Sequence, residues 1–114
     1  MSTIIWHNPR CSKSRETLAL ITEAGEHPQI RTYLDDAPSE AEIRDILALL
    51  SIEPRALMRT GEALYKELGL AGVSDDAALI KAMADNPRLI ERPVVIKNGK
   101  ARLGRPPQAV LEIL

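Results

Sequence analysis

Apolar and polar positions change their period several times along the chain, and each change marks an element. Thr3 to Trp6 is a short apolar, β-branched run and predicts a strand. Asn8-Pro9 ends it, because proline lacks an N–H and restricts the residue before it. From Ser12 the spacing turns helical, with Leu18, Ile21 and Ala24 on one face and Gly25 where a C-terminal cap belongs. Gln29 to Leu34 predicts a second strand, so the chain opens with a βαβ unit. Ser39-Glu-Ala-Glu42 reads as a capping box ahead of a helix whose apolar stripe is Ile43, Ile46, Leu47 and Leu50. Pro54 suits the first turn of a short helix through Met58, closed by Gly61. Glu62 to Leu68 predicts another turn or two before Gly69. Ser74-Asp-Asp opens a helix carrying Leu79, Ile80 and Met83, which Asn86-Pro87 stops.

The last third is different. Pro93 to Lys97 is rich in β-formers, Asn98-Gly99 is a strong hairpin signal, and Lys100 to Leu103 is the return strand. Gly104-Arg-Pro-Pro predicts a loop, and Gln108 to Leu114 a closing helix with Val110, Leu111 and Leu114 inward. The order is β-α-β, several helices, then β-β-α. That is an α/β chain on the thioredoxin-like plan, one domain over residues 1–114 with an all-helical insertion over roughly 38–88.

Composition narrows the function. At 114 residues the chain has the length of one domain and can bury a core without disulfides. A net charge of -1 argues against nucleic-acid binding, which needs a basic face. Aromatic residues make up only 3%, so the core is aliphatic and base-stacking platforms are scarce. No apolar run approaches the roughly 20 residues of a membrane span. The first residues lack the charged and apolar regions of a signal peptide. With a single cysteine there is no internal disulfide, so a reducing cytoplasm is expected, and a monomer is the default for this size.

That cysteine, Cys11, stands between a strand and a helix start, where free N–H groups and the helix dipole favour negative charge. Arg10, Lys13 and Arg15 add positive charge, and His7 could add more or could hydrogen-bond the loop. A thiol titrating near ~8.5 falls to ~7.5 or lower in such places. Most lone cysteines are simply small buried hydrophobes. The flanks here, Asn, Pro, Arg, Ser, Lys, Ser and Arg, are not those of a core segment. Ser14 replaces the second cysteine of a Cys-x-x-Cys pair, so dithiol chemistry within the chain is excluded. Thr17 stands where a phosphatase-type loop would want arginine. One cysteine with His7 and His27 does not make a zinc site.

The run His7-Asn-Pro-Arg-Cys11-Ser-Lys-Ser14-Arg15 resembles the active-site loop of the glutaredoxin-coupled arsenate reductases, the ArsC family. The resemblance continues at Arg55-Ala-Leu-Met-Arg59, Ile90-Glu-Arg92-Pro-Val-Val95 and Arg102-Leu-Gly-Arg105-Pro106, and so covers the whole chain in order. It implies a thioredoxin-like fold with a helical insertion and Cys11 as the nucleophile toward arsenic. It also implies Arg59, Arg92 and Arg105 as oxyanion-binding arginines, and His7 and Ser14 as residues that tune the cysteine. Guanidinium forks would offset the repulsion between an oxyanion and a thiolate. The partners implied are arsenate, glutathione as co-substrate and glutaredoxin, with no bound cofactor or metal.

Two departures stand out. Arg10 occupies a position where the well-known family members carry a small residue, and the chain ends at Leu114 without their longer tail, as expected of a shorter branch. Other readings have the same fold. Spx-type transcriptional regulators bind RNA polymerase but typically sense redox through a Cys-x-x-Cys pair, which Ser14 precludes. A glutathione-dependent thiol oxidoreductase acting on another substrate also fits these residues.

Overall fold

A computed structural model describes residues 2–114. Its contacts divide the chain into two compact units, one running up to Asp36 and resuming over Arg92–Leu114, the other spanning Ala37–Glu91.

The first unit holds a four-stranded mixed sheet of order β2-β1-β3-β4, formed by β1 (Thr3–Trp6), β2 (Gln29–Arg31), β3 (Val94–Lys97) and β4 (Lys100–Leu103). β1 runs parallel to β2, with Ile5 opposite Ile30, and antiparallel to β3, with Ile5 opposite Val95. The β3–β4 hairpin turns on Asn98 and Gly99, both at positive φ, as a tight two-residue turn demands. Helix α1 (Ser12–Glu23) crosses from β1 to β2 and packs with the C-terminal segment. Ile5, Ile21, Val95, Val110 and Ile113 form the core between them, with Leu18 and Leu114 at its edge. The open end of the sheet is tied by Glu26, which takes the Thr3 hydroxyl at 3.2 Å and pairs with Lys97.

Three expectations for this unit need correcting. The second strand stops at Arg31, because the carbonyl of Thr32 accepts from the N–H groups of Asp35 and Asp36 and curls the chain into a turn. The buried stripe of α1 is Ser14, Thr17 and Ile21, whereas Ala24 is exposed. The closing element, Pro107–Ile113, is a 3-10 helix. At about three residues per turn, Pro107, Val110 and Ile113 share its buried face, and Leu111 points outward at 46% exposure.

The second unit is helical, with α2 (Glu40–Leu50), α3 (Ala63–Glu67) and α4 (Asp76–Asp85) joined through 3-10 turns at Pro54–Leu57, Leu70–Gly72 and Pro87–Leu89. Ser39 and Glu42 close a reciprocal capping box at the start of α2. Ile43, Ile46 and Leu47 of α2 and Leu79, Ile80 and Met83 of α4 are buried where the two helices pack together. The segment after Pro54 is tighter than an α-helix, and Met58 leaves it to form an isolated antiparallel bridge with Ile90. Arg55 organises the turns that follow, donating to the Tyr65 hydroxyl and to the carbonyls of Leu70 and Val73. Among the described residues no helix is long and apolar enough to cross a membrane.

Candidate active site

Cys11 is the N-cap of α1, in extended conformation at φ -95° and ψ 122°. Its own N–H is taken by the Asn8 carbonyl at 3.0 Å, and its carbonyl receives the Arg15 N–H at 3.0 Å. The loop after β1 is thus wound into the helix with its thiol over the first free N–H groups, and the first turn of α1 contains no acidic residue. The thiol is largely buried, at 8% exposure. Burial by itself pushes its pKa up. The Ser14 N–H, the positive charge of Arg92, the Lys13 N–H and a hydrogen bond from the Arg92 side chain together outweigh that penalty, and the net displacement is downward.

Arg105 completes this surround. Its Nη2 lies 3.9 Å from the Cys11 sulfur, and its Nε donates to the Arg92 carbonyl at 2.8 Å. The β3 and β4 ends that carry these arginines are themselves joined, since the Gly104 N–H donates to the Pro93 carbonyl at 2.9 Å. The Arg92–Pro93 and Arg105–Pro106 peptides are both cis.

Ser14 is fully buried in the first turn of α1. Its hydroxyl oxygen accepts the Asn8 N–H at 3.0 Å and lies 2.6 Å from His7 Nδ1. Burial, then the charge of Arg15, lower the His7 pKa, so the imidazole is neutral at physiological pH. The simplest pairing has the Ser14 hydroxyl donate to Nδ1, which leaves the proton of the ring on Nε2. Of the two roles open to His7, the structure therefore supplies the loop hydrogen bond and not a second cation. Arg15 braces the same loop through the Pro9 carbonyl, at 2.9 Å.

Five sequence-selected residues, His7, Cys11, Ser14, Arg92 and Arg105, lie together in the first unit. Arg10 is exposed beside them, and its backbone N–H closes a small turn onto Asn8 Oδ1 at 3.0 Å. Arg59 belongs to the second unit, where it pairs with Glu62 at 3.2 Å and its backbone N–H donates to the Leu89 carbonyl at 2.7 Å. Among the described residues no cluster of three or more His, Cys, Asp or Glu side chains is placed to hold a metal.

Sequence reasoning missed Thr17 and Gly104. Thr17 is fully buried, and its hydroxyl donates back to the Lys13 carbonyl at 2.7 Å. Gly104 lies so close to it that a Cβ there would overlap the Thr17 hydroxyl and come within 2.6 Å of the Pro93 ring. A small polar residue on α1 facing a glycine on β4's exit lets the two arginine-bearing ends approach the cysteine. No local signal marks either residue, because the contact joins positions far apart in the sequence.

A thioredoxin-like sheet with one thiol at a helix N-terminus, flanked by arginines, defines a thiol protein with a positively charged surround. Comparison with known proteins gives the family. The ArsC family model matches residues 6–113, and the chain belongs to that family. It is 56% identical over 112 residues to an uncharacterised protein of Escherichia coli, covering 96% of this chain and 94% of that one. It is 50% identical to a Haemophilus influenzae protein named arsenate reductase, over the whole of both chains. The solved structure of an arsenate reductase from Vibrio cholerae superposes with a TM-score of 0.97 at 54% identity, covering 100% of this chain and 98% of that one.

Proposed function

We propose that this chain is a cytoplasmic arsenate reductase that draws its electrons from glutathione and glutaredoxin. The observation that carries the proposal is the Cys11 thiol, lowered in pKa at the head of α1 with the Arg105 guanidinium 3.9 Å from its sulfur. Relatives named arsenate reductase match the chain over its full length, which agrees with this reading.

Arsenate binds through the Arg92 and Arg105 guanidinium groups, and the case for Arg59 as a third oxyanion arginine is the motif around it. The Cys11 thiolate displaces one hydroxyl of protonated arsenate, which takes up a proton from solvent and leaves as water, as a sulfur–arsenic bond forms. Glutathione thiolate then attacks the Cys11 sulfur. The electron pair of the sulfur–arsenic bond stays on arsenic, which leaves as arsenite, reduced from the pentavalent to the trivalent state. The two sulfurs are oxidised to a mixed disulfide, and glutaredoxin takes the glutathione from Cys11. No second cysteine in this chain could replace that external thiol, because Cys11 is its only one.

The test is arsenite production by the purified protein with glutathione, glutaredoxin, glutathione reductase and NADPH. Turnover should vanish in Cys11→Ser and fall at least tenfold in Arg92→Ala. Undiminished turnover in Cys11→Ser, or none in the wild-type protein while Cys11 still reacts rapidly with a thiol probe at neutral pH, overturns the proposal.

A further inference from the structure

The residues just before the cysteine do more than present it. They form one wall of a cleft of about 280 Å³, lined by His7, Asn8, Pro9 and Arg10 on one side and by Thr32, Leu34 and Asp35 on the other. The second wall is the turn that ends β2, curled by the bonds of Asp35 and Asp36 to the Thr32 carbonyl. The volume lies just below the roughly 300–1,000 Å³ of small-molecule pockets and suits one end of a short peptide.

Two side chains of opposite charge line this cleft. Arg10 and Asp35 both line it, yet they form no ion pair with each other, and neither side chain has an ion-pair partner among the described residues. Nearby acids and bases do pair, Arg31 with Asp36 at 3.3 Å for example. Two opposite charges that line one mostly apolar cleft without pairing form a receptor for a ligand that carries both, an ammonium and a carboxylate on one carbon. Asn8 and Thr32 offer hydrogen-bonding groups between them, and the exposed Leu34 offers an apolar wall.

We infer that this cleft binds the thiol co-substrate, holding the amino-acid end of a γ-glutamyl thiol peptide with its α-carboxylate on Arg10 and its α-ammonium on Asp35. The inference rests on the proposed function for the identity of the thiol, and the cleft supplies the recognition. Arg10 adjoins Cys11 in sequence, so the cleft wall and the nucleophile belong to one loop. The γ-linkage leaves both α-groups free together at one end, which an ordinary dipeptide such as cysteinylglycine does not place at that distance from its thiol. The role of Arg10 follows: it is a specificity residue for the attacking thiol, not an additional oxyanion ligand.

The experiment separates this step from any arsenic chemistry. Cys11 is converted to its mixed disulfide with thionitrobenzoate, and release of the coloured thiolate is followed as glutathione attacks and takes its place. With wild-type protein the rate should saturate with glutathione and with γ-glutamylcysteine, but rise linearly with cysteinylglycine and 2-mercaptoethanol. S-methylglutathione, which has no thiol, should inhibit competitively. In Asp35→Asn the half-saturating glutathione concentration should rise at least fivefold while the 2-mercaptoethanol rate stays within twofold. Glutathione is an anion overall, so simple removal of a repelling carboxylate predicts the opposite, a faster reaction. A rate that stays linear in glutathione, or an Asp35→Asn protein that reacts faster with it, overturns the inference. Saturable glutathione exchange in a protein that fails to reduce arsenate leaves the cleft standing and removes the proposed substrate instead.

Discussion

Gly104→Ala tests the claim that a close backbone approach, and not only side-chain chemistry, sets the environment of Cys11. An added Cβ would come within 2.6 Å of Pro93 Cγ and 3.0 Å of its Cδ, and nearer still to the Thr17 hydroxyl. Carbon atoms rest at about 3.5–4.0 Å, so the chain must move by on the order of 1 Å. Neither neighbour can yield alone. Thr17 is fully buried and bonded to the Lys13 carbonyl, and Pro93 is a buried ring. Overpacking of this kind costs about 1–3 kcal/mol, which in a domain of this size lowers Tm by roughly 5–15 °C. The displacement would pull at the bond from Gly104 to the Pro93 carbonyl and carry Arg105 away from the sulfur. Urea denaturation should therefore show the loss of stability, and titration of the thiolate absorbance near 240 nm should show the Cys11 pKa moving up. Thr17→Ala in the same chain removes the nearer clash, so the double variant should be more stable than the sum of the single effects predicts, by about 1 kcal/mol. A Gly104→Ala protein within 0.5 kcal/mol of wild type, with an unshifted thiolate titration, would refute the reasoning.

Three further outcomes follow from the same contacts. Arg92→Gln removes a charge and a hydrogen bond that both lower the Cys11 pKa, so the thiolate titration should move up and alkylation by iodoacetamide at pH 7 should slow; an unchanged alkylation rate contradicts the assignment. His7 has a folded-state pKa below its ordinary 6.5, so the unfolded chain binds the proton more readily. Its contribution to stability is complete above about pH 6.5 and is lost as pH falls from there through the lowered folded value. The stability difference between wild type and His7→Gln should shrink over that window, measured by urea midpoints from pH 7.5 downward, and a pH-independent difference would count against it. Arg55→Met leaves the Leu70 and Val73 carbonyls without their donor and should destabilise the helical unit by about 1–3 kcal/mol, read from urea melts.

Elements with a strong local signature were legible from sequence, and those decided by distant packing were not. The reciprocal bonds of Ser39 and Glu42, and the positive φ of Asn98 and Gly99, are written in two or four residues. So is Cys11 at a helix start, because Asn8-Pro9 must break the strand before it. The failures have physical causes. A 3-10 and an α-helix place the same apolar residues differently, and only packing decides between them, which is why Ile113 and not Leu111 is buried. The end of β2 is set by a turn that Thr32 accepts, without any proline or glycine to announce it. Gly104 and Thr17 meet across 86 intervening positions, a contact with no local trace.

The arrangement around the thiol carries a consequence for selectivity. The groups that lower the Cys11 pKa are backbone N–H groups of α1 and an arginine whose own carbonyl is bonded by Arg105. The two arginine-bearing ends are tied by a backbone bond, and the loop before Cys11 is tied by Ser14 and Arg15. Nothing in this set waits for a substrate, so in the proposed reaction the lowered thiol pKa is in place before an oxyanion arrives. A nucleophile activated in advance does not discriminate by activation. In the proposed reaction, discrimination then comes from which anion the arginines seat and which thiol reaches the sulfur afterwards. The thiol is only 8% exposed, which makes access the narrower gate. Wild-type protein should accordingly react with electrophiles at rates set by their size, iodoacetamide being far faster than a bulky neutral N-aryl iodoacetamide with the same reactive group, and equal rates would place the selectivity elsewhere.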